Sequence, residues 1–120
     1  MSDLYRKKFG AEGEKRAAAF LEENGFTVIE KNYRAGRSGE IDIIALKGEL
    51  LVFAEVKSRS GNAFGGGIYS INDAKKRHLK TAAKTFLASH RDYDSKNFTY
   101  RFDLLLVSAG EVTWIDDIIR

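Results

Sequence analysis

Two short apolar runs dominate the hydrophobic pattern of the chain. Gly39-Glu40-Ile41-Asp42-Ile43-Ile44-Ala45 and Leu50-Leu51-Val52-Phe53-Ala54-Glu55-Val56-Lys57 are rich in β-branched and aliphatic residues. Leu46-Lys47-Gly48-Glu49 separates them, which predicts an antiparallel hairpin. Upstream, Ala17, Ala18, Phe20 and Leu21 recur at helical spacing and the run stops at Asn24-Gly25, which predicts a helix over 3–24. Phe26–Glu30 reads as a first strand, and residues 31–39 as a basic, glycine-containing loop. A second helix is predicted from about Ile71 to Ser89, with Ser70 or Asn72 as its N-cap. Its apolar stripe is Ile71, Ala74, Leu79, Ala82, Ala83, Phe86 and Leu87. Asn97–Val107 reads as a strand whose continuous apolar stretch, Leu104–Val107, implies cover on both faces. Gly110-Glu111 then turns into a short final strand, Val112–Ile115. The polar, glycine-rich stretch Ser58–Gly67 carries neither period and is predicted to be a loop.

The hairpin carries acids where a core would take apolar side chains. If Gly48-Glu49 forms the turn, Lys47 faces Leu50 and Asp42 lies opposite Glu55. If Lys47-Gly48 forms it, Asp42 faces Phe53 and Glu40 faces Glu55. Either register puts Glu40, Asp42, Glu55 and Lys57 on one face, because the side-chain period of a strand is 2. A three-residue loop would separate them. Carboxylates roughly 5 Å apart repel, so a purely structural hairpin gains nothing from the arrangement. A bound hard cation relieves that repulsion, and Mg²⁺ (or Mn²⁺) suits carboxylate oxygens, with waters and a phosphate completing its shell. Lys57, two residues past Glu55, adds a point charge for an anionic transition state or a hold on an attacking water. The grouping predicts phosphodiester hydrolysis.

Composition narrows the classes. At 120 residues the chain suits one domain, 1–120, with no linker or repeat to divide it. It has no cysteine, which excludes a disulfide scaffold, a zinc finger and a thiol nucleophile, and accords with the cytoplasm. No apolar run approaches the roughly 18 residues of a membrane span, and the first residues lack the apolar segment of a signal peptide. With His78 and His90 the only histidines, a histidine-based site is not expected. The stretch after Lys57 lacks the Lys-Ser/Thr ending of a nucleotide-cradling loop.

A net charge of +3 favours an anionic partner, and the cations cluster on both sides of the hairpin, in Lys31–Arg37 and Lys75–Lys80. Arg34, Arg37, Arg59 and Lys75 are the candidate contacts to a nucleic-acid backbone, with Tyr33 able to stack. A solvated surface accounts equally for each cluster alone. Lys75 falls on the apolar stripe, where it either snorkels from the core edge or faces a phosphate at the helix N-terminus. Glu14 shares a stripe with Ala17, Ala18 and Leu21, as a buried carboxylate or as a solvated acid at its margin. Gly10 and Gly13 beside it each cost about 1 kcal/mol in a helix, which a close backbone approach would justify. Arg101 and Asp103 share a face and read as a structural pair.

The order helix, three antiparallel strands, helix, strand, with Asp42 and Glu55-Val56-Lys57 on strands two and three, resembles the PD-(D/E)XK nuclease superfamily. Gly13-Glu14-x-x-Ala17, Asn32-Tyr33-Arg34, Gly39-Glu40-Ile41-Asp42, Phe53-x-Glu55-Val56-Lys57, Phe64-Gly65, Lys75 and Arg101-Phe102-Asp103 look more narrowly like the bacterial YraN family (UPF0102). That group is similar to archaeal Holliday junction resolvases. The resemblance covers nearly the whole chain. It implies an α/β, restriction-endonuclease-like core in which a central mixed sheet is flanked by helices, in α-β-β-β-α-β order plus a short final strand. It further implies Glu14, Asp42 and Glu55 as metal ligands with the Val56 carbonyl, and Lys57 as the residue that positions the base or stabilises charge. Ile41 stands where the superfamily pattern has proline, which leaves strand geometry intact.

The expectation is therefore a Mg²⁺-dependent endonuclease acting on DNA, branched or junction DNA included, with a homodimer expected for symmetric cutting and Trp114 a candidate for its interface. A non-catalytic nucleic-acid-binding module is the alternative. A purely structural cation site is a third, disfavoured by Lys57 beside the acids.

Overall fold

The computed structural model describes residues 3–37, 39–59 and 71–119, without the side chains of 3–9 and Arg59. In chain order the elements are α1 (Asp3–Glu23), β1 (Thr27–Arg34), β2 (Glu40–Lys47), β3 (Leu50–Arg59), α2 (Asp73–Ser89), a short 3-10 turn at Arg91–Tyr93, β4 (Thr99–Ser108) and β5 (Glu111–Ile115). The strands form one mixed sheet in the order β1-β2-β3-β4-β5, antiparallel except for the β3–β4 pair. This is the α/β arrangement expected from the sequence, with a helix on each face. No described helix is long and apolar enough to cross a membrane.

Period-2 alternation sorts the strands between the helices. Ile43, Ala45, Val52, Ala54, Leu105 and Val107 face α1, where Ala17, Ala18 and Leu21 close one core with Phe26. Ile44, Leu51 and Phe53 face α2 and pack on Leu79, Ala82, Ala83 and Phe86. Rings give this second core its shape: Phe86 meets Phe53 and Tyr33 edge-on at centroid distances of 6.1 and 5.3 Å. Leu104–Val107 is buried throughout, because α1 covers one side and Ile71 with Ile118 the other.

The structure moves several predicted boundaries. β1 runs on to Arg34 because Lys31, Tyr33 and Arg34 pair with Ile43, Ile41 and Glu40, so the connecting loop shrinks to residues 35–39. A register shift between Val28 and Glu30 and a positive φ of 52° at Asn32 hid this strand from its pattern. α2 starts at Asp73 rather than Ile71; Asn72 is the N-cap, its side chain accepting from the Lys75 amide at 2.8 Å. Ala74 is exposed and lies off the buried stripe. Ser58 and Arg59 extend β3, while the Ser70 cap candidate and residues 60–67 of the predicted loop lie outside the described residues.

Two glycines bring elements together. A Cβ on Gly13 would overlap the Ser58 side chain, so its absence lets α1 settle against β3 beside Lys57. Gly10 has open space around it and no such reason. Gly39, at φ 144°, lies where a Cβ would come within 2.6 Å of the His78 carbonyl oxygen, which holds the β1–β2 loop against α2.

Candidate functional site

The hairpin closes through Gly48-Glu49, Gly48 taking a φ of 59°, and Lys47 faces Leu50. Of the two predicted registers this is the one that sets Asp42 opposite Glu55. Backbone pairing is regular from Lys47↔Leu50 to Ile43↔Ala54. Beyond it the Val56 amide donates to Asp42 Oδ2 at 2.8 Å. A residue's N–H and C=O leave an extended strand on the same side, so the Val56 carbonyl also faces β2. Glu55 and Lys57 continue the Leu51–Phe53 row toward the N-terminal end of α2. There they line a cleft of about 290 Å³ with Ile71, Asn72 and Lys75.

Glu55 is buried, 8% exposed, although it is charged in type. Lys75 Nζ lies 3.2 Å from its Oε1, whereas Oε2 is buried with no hydrogen-bond partner among the described residues. Burial, and then the Asp42 charge, push the Glu55 carboxyl up to about 7 against the opposing pull of Lys75 and Lys57. Burial likewise raises Asp42, aided by Glu40 and opposed by the Val56 amide and Lys75. Glu14 is raised by its own burial and by Asp42, while a hydrogen bond from the Asn32 side chain lowers it. Asp42 on β2 therefore acts on both Glu14 of α1 and Glu55 of β3.

Such a set suits a hard divalent cation on chemical grounds. An unpartnered, buried carboxylate oxygen beside a second carboxylate offers what Mg²⁺ or Mn²⁺ coordinates, and Mg²⁺ commonly takes only one or two carboxylates plus water. Among the described residues no three Asp, Glu, His or Cys side chains gather into a ready metal cage. Glu14 thus stands within electrostatic range of Asp42 without completing a three-carboxylate cluster.

The description "Uncharacterised protein family UPF0102" belongs to the family model that matches residues 13–107, which run from within α1 to the last residue but one of β4 and include every site residue named above. This chain belongs to the UPF0102 family. A UPF0102 protein of Clostridium perfringens is 41% identical over 122 residues, covering 97% of each chain. One from Nitrosomonas europaea is 42% identical over 109 residues, 88% of each, and one from Geobacter metallireducens 35% identical over 116 residues, covering 96% of this chain and 92% of its own.

The remaining candidates of this UPF0102 protein fall at varied places. Arg34 is exposed at the end of β1, its Nε 3.9 Å from Glu40 Oε2. Arg37 is exposed in the loop that Gly39 holds against α2. Arg59 ends β3, and Phe64-Gly65 lies outside the described residues. Lys75 pairs with Glu55, a contact the hydrophobic pattern of the helix did not disclose. Asn32 was also missed as a partner of Glu14; the signal available was an asparagine, which tolerates a left-handed backbone, beside a basic strand. Trp114 is half-buried: it packs edge-on against Phe20 and Phe26 and donates to Asp103 Oδ2 at 2.8 Å.

Proposed function

We propose that this UPF0102 protein is a divalent-cation-dependent endonuclease of the PD-(D/E)XK kind, acting on DNA, with branched or junction DNA as the substrate class. The observation that carries the reading is the buried Glu55, one of whose oxygens has no hydrogen-bond partner among the described residues, set against Asp42 and flanked by two lysines in a cleft. A structural domain has no use for that combination.

Asp42 and Glu55, with the Val56 carbonyl, are the groups that would hold Mg²⁺ or Mn²⁺, and Glu14 would act on them from α1. The ion, when bound, neutralises the carboxylates and supplies Lewis acidity at a phosphodiester. Lys57, on the Glu55 face of β3, directs an ammonium at the charge that develops on the phosphoryl oxygens or orients the attacking water. Asn72 caps the start of α2, whose N-terminal end borders the cleft and, as the positive end of the helix dipole, would favour a phosphate there.

The surface supports an anionic partner. α2 contains one acid, Asp73, and then Lys75, Lys76, Arg77, Lys80 and Lys84. Lys76, Lys80 and Lys84 stand four apart, and among the described residues none is in an ion pair. Like charges at that spacing destabilise a helix, so an external polyanion accounts for them better than folding does. This basic row also favours a second reading, binding of nucleic acid without cleavage, which needs no carboxylates. A cytoplasmic setting and a homodimer, whose two-fold axis would supply two centres for a junction, belong to the first reading.

Labelled duplex, single-stranded, flap and four-way-junction DNA, each with Mg²⁺ and with Mn²⁺, provide the test. Cleavage of at least one substrate, lost in Glu55→Ala and Lys57→Ala while both variants stay folded, is the expected result. Binding without cleavage throughout would transfer the case to the second reading.

A further inference from the structure

Glu55 already has a cation. Lys75 reaches it from a separate element, the first turn of α2, where the Asn72 cap fixes the lysine's own backbone amide. The lysine side chain is 37% exposed and that of Glu55 10%, so the ammonium lies nearer solvent and the carboxylate deeper in the cleft. Only Oε1 is served; Oε2 remains buried without a hydrogen bond among the described residues. The like-charged Asp42 stands opposite Glu55 on β2, held by the Val56 amide.

We propose that Lys75 is a built-in counter-ion for Glu55, which a divalent cation must displace, and that the released ammonium then engages a substrate phosphate. The inference rests on the reading of Asp42 and Glu55 as the cation site. An ammonium offers Glu55 one charge through a single contact, whereas an ion between the two carboxylates offers two charges to both. The two cations cannot share the same oxygen region, since their repulsion in a half-buried cleft is comparable to either attraction. Lysine suits the exchange: its charge is compact and well hydrated, and its stem is flexible. Its partly exposed position gives it a path to the cleft mouth, where a phosphate approaching the α2 N-terminus would meet it. Without an ion the pair keeps Glu55 compensated and the protein stable. With an ion the same lysine becomes available to the substrate, so ion and DNA each favour the binding of the other.

The test is calorimetric titration of the full chain with MnCl₂, without nucleic acid, at about pH 8.5, above the value of about 7 that Glu55 takes in the wild type. The wild type is set against Lys75→Met, with Lys75→Gln as a second neutral variant. The expected result is a Kd for Mn²⁺ about three- to tenfold lower in the neutral variants, the range for losing a competitor of this strength. In chelator the same variants should melt below the wild type, and Mn²⁺ should raise their melting temperature by more than it raises that of the wild type. Unchanged or weaker Mn²⁺ binding in the neutral variants overturns the exchange and leaves Lys75 as a residue that positions Glu55, with the cation site intact. No Mn²⁺ binding by any of the three proteins overturns the exchange and the cation-site reading together.

Discussion

The main-chain amide of Val56 donates to Oδ2 of Asp42 at 2.8 Å, so a carboxylate side chain takes up the hairpin hydrogen bonding just past its last backbone pair. Asparagine at position 42 keeps an acceptor there and removes the charge. Asp42→Asn is expected to stay folded, to abolish the proposed cleavage, and to drop the Glu55 carboxyl from about 7 toward the ordinary carboxylate range. Side-chain carboxyl NMR across a pH series reads that shift directly. A Glu55 titration that ignores the substitution would mean the two acids do not interact. Asp42→Ala strands the amide and should cost about 1–3 kcal/mol of stability by urea unfolding.

Stability of the cation-free protein should fall as pH rises through the neutral range. Glu55 binds its proton more tightly folded than unfolded, its carboxyl moving from 4.5 to about 7. Between those values the native state holds more protons than the unfolded chain, so the slope of unfolding free energy against pH is negative. The destabilisation is absent below about pH 4.5 and complete above about pH 7, and amounts to a few kcal/mol at most, on the order of 2–3. Glu55→Gln should flatten the profile over that window. Chemical denaturation in chelator at a series of pH values provides the measurement; a wild-type curve that rises there would contradict the assigned direction.

Asp103 is the second buried acid, wholly inaccessible, and its environment is the opposite of that of Glu55. Arg101 grips both oxygens at 2.9 Å, Trp114 Nε1 donates at 2.8 Å, and the Asp117 amide donates at 2.9 Å. Every interaction satisfies the carboxylate, which marks it as structural and explains why the Arg101–Asp103 pairing expected from the sequence is correct. Removing one partner of such a set leaves a buried charge or a buried donor without compensation. Asp103→Ala should therefore cost about 3–5 kcal/mol, and Trp114→Phe about 1–3 kcal/mol, by equilibrium unfolding. The Mn²⁺ affinity of any Trp114→Phe protein that remains folded should not change.

For the basic row on α2, salt dependence is the diagnostic. If Lys76, Lys80 and Lys84 contact phosphates, replacing all three with glutamine should weaken binding to every DNA substrate alike. It should also flatten the plot of log affinity against log salt by about 2–3. Fluorescence anisotropy over a salt series would detect this, and an unchanged slope would mark the row as a solvated face.

The hairpin was legible because its signals are local. The β-branched runs fix strand type, and Gly48 limits the turn to two registers that both keep the acids on one face; the pairing of Lys47 with Leu50 selects the one that sets Asp42 opposite Glu55. Contacts arising from distant chain segments were less legible. The Lys75–Glu55 pair depends on where the N-terminus of α2 meets β3, and a helical stripe gives a side chain's azimuth without its neighbour. The extension of β1 was concealed because Lys31, Asn32 and Arg34 have poor strand character and gain their place only by pairing with β2. The partners of Trp114 lie equally far along the chain: β5 sets its ring against Phe20 and Phe26 beside α1 and its N–H onto Asp103.

The order of assembly follows from the sheet connections. β2 and β3 join through two residues, so that ribbon can zip up alone, whereas Leu50 finds Thr99 on β4 only after the intervening chain has closed a long loop. The two mutually repelling acids are thus thrown together early, before the helix bearing Lys75 has docked to relieve them. Glu55→Gln, which removes one of the two charges at every stage of folding, should accordingly refold faster than the wild type, as stopped-flow refolding in chelator would read.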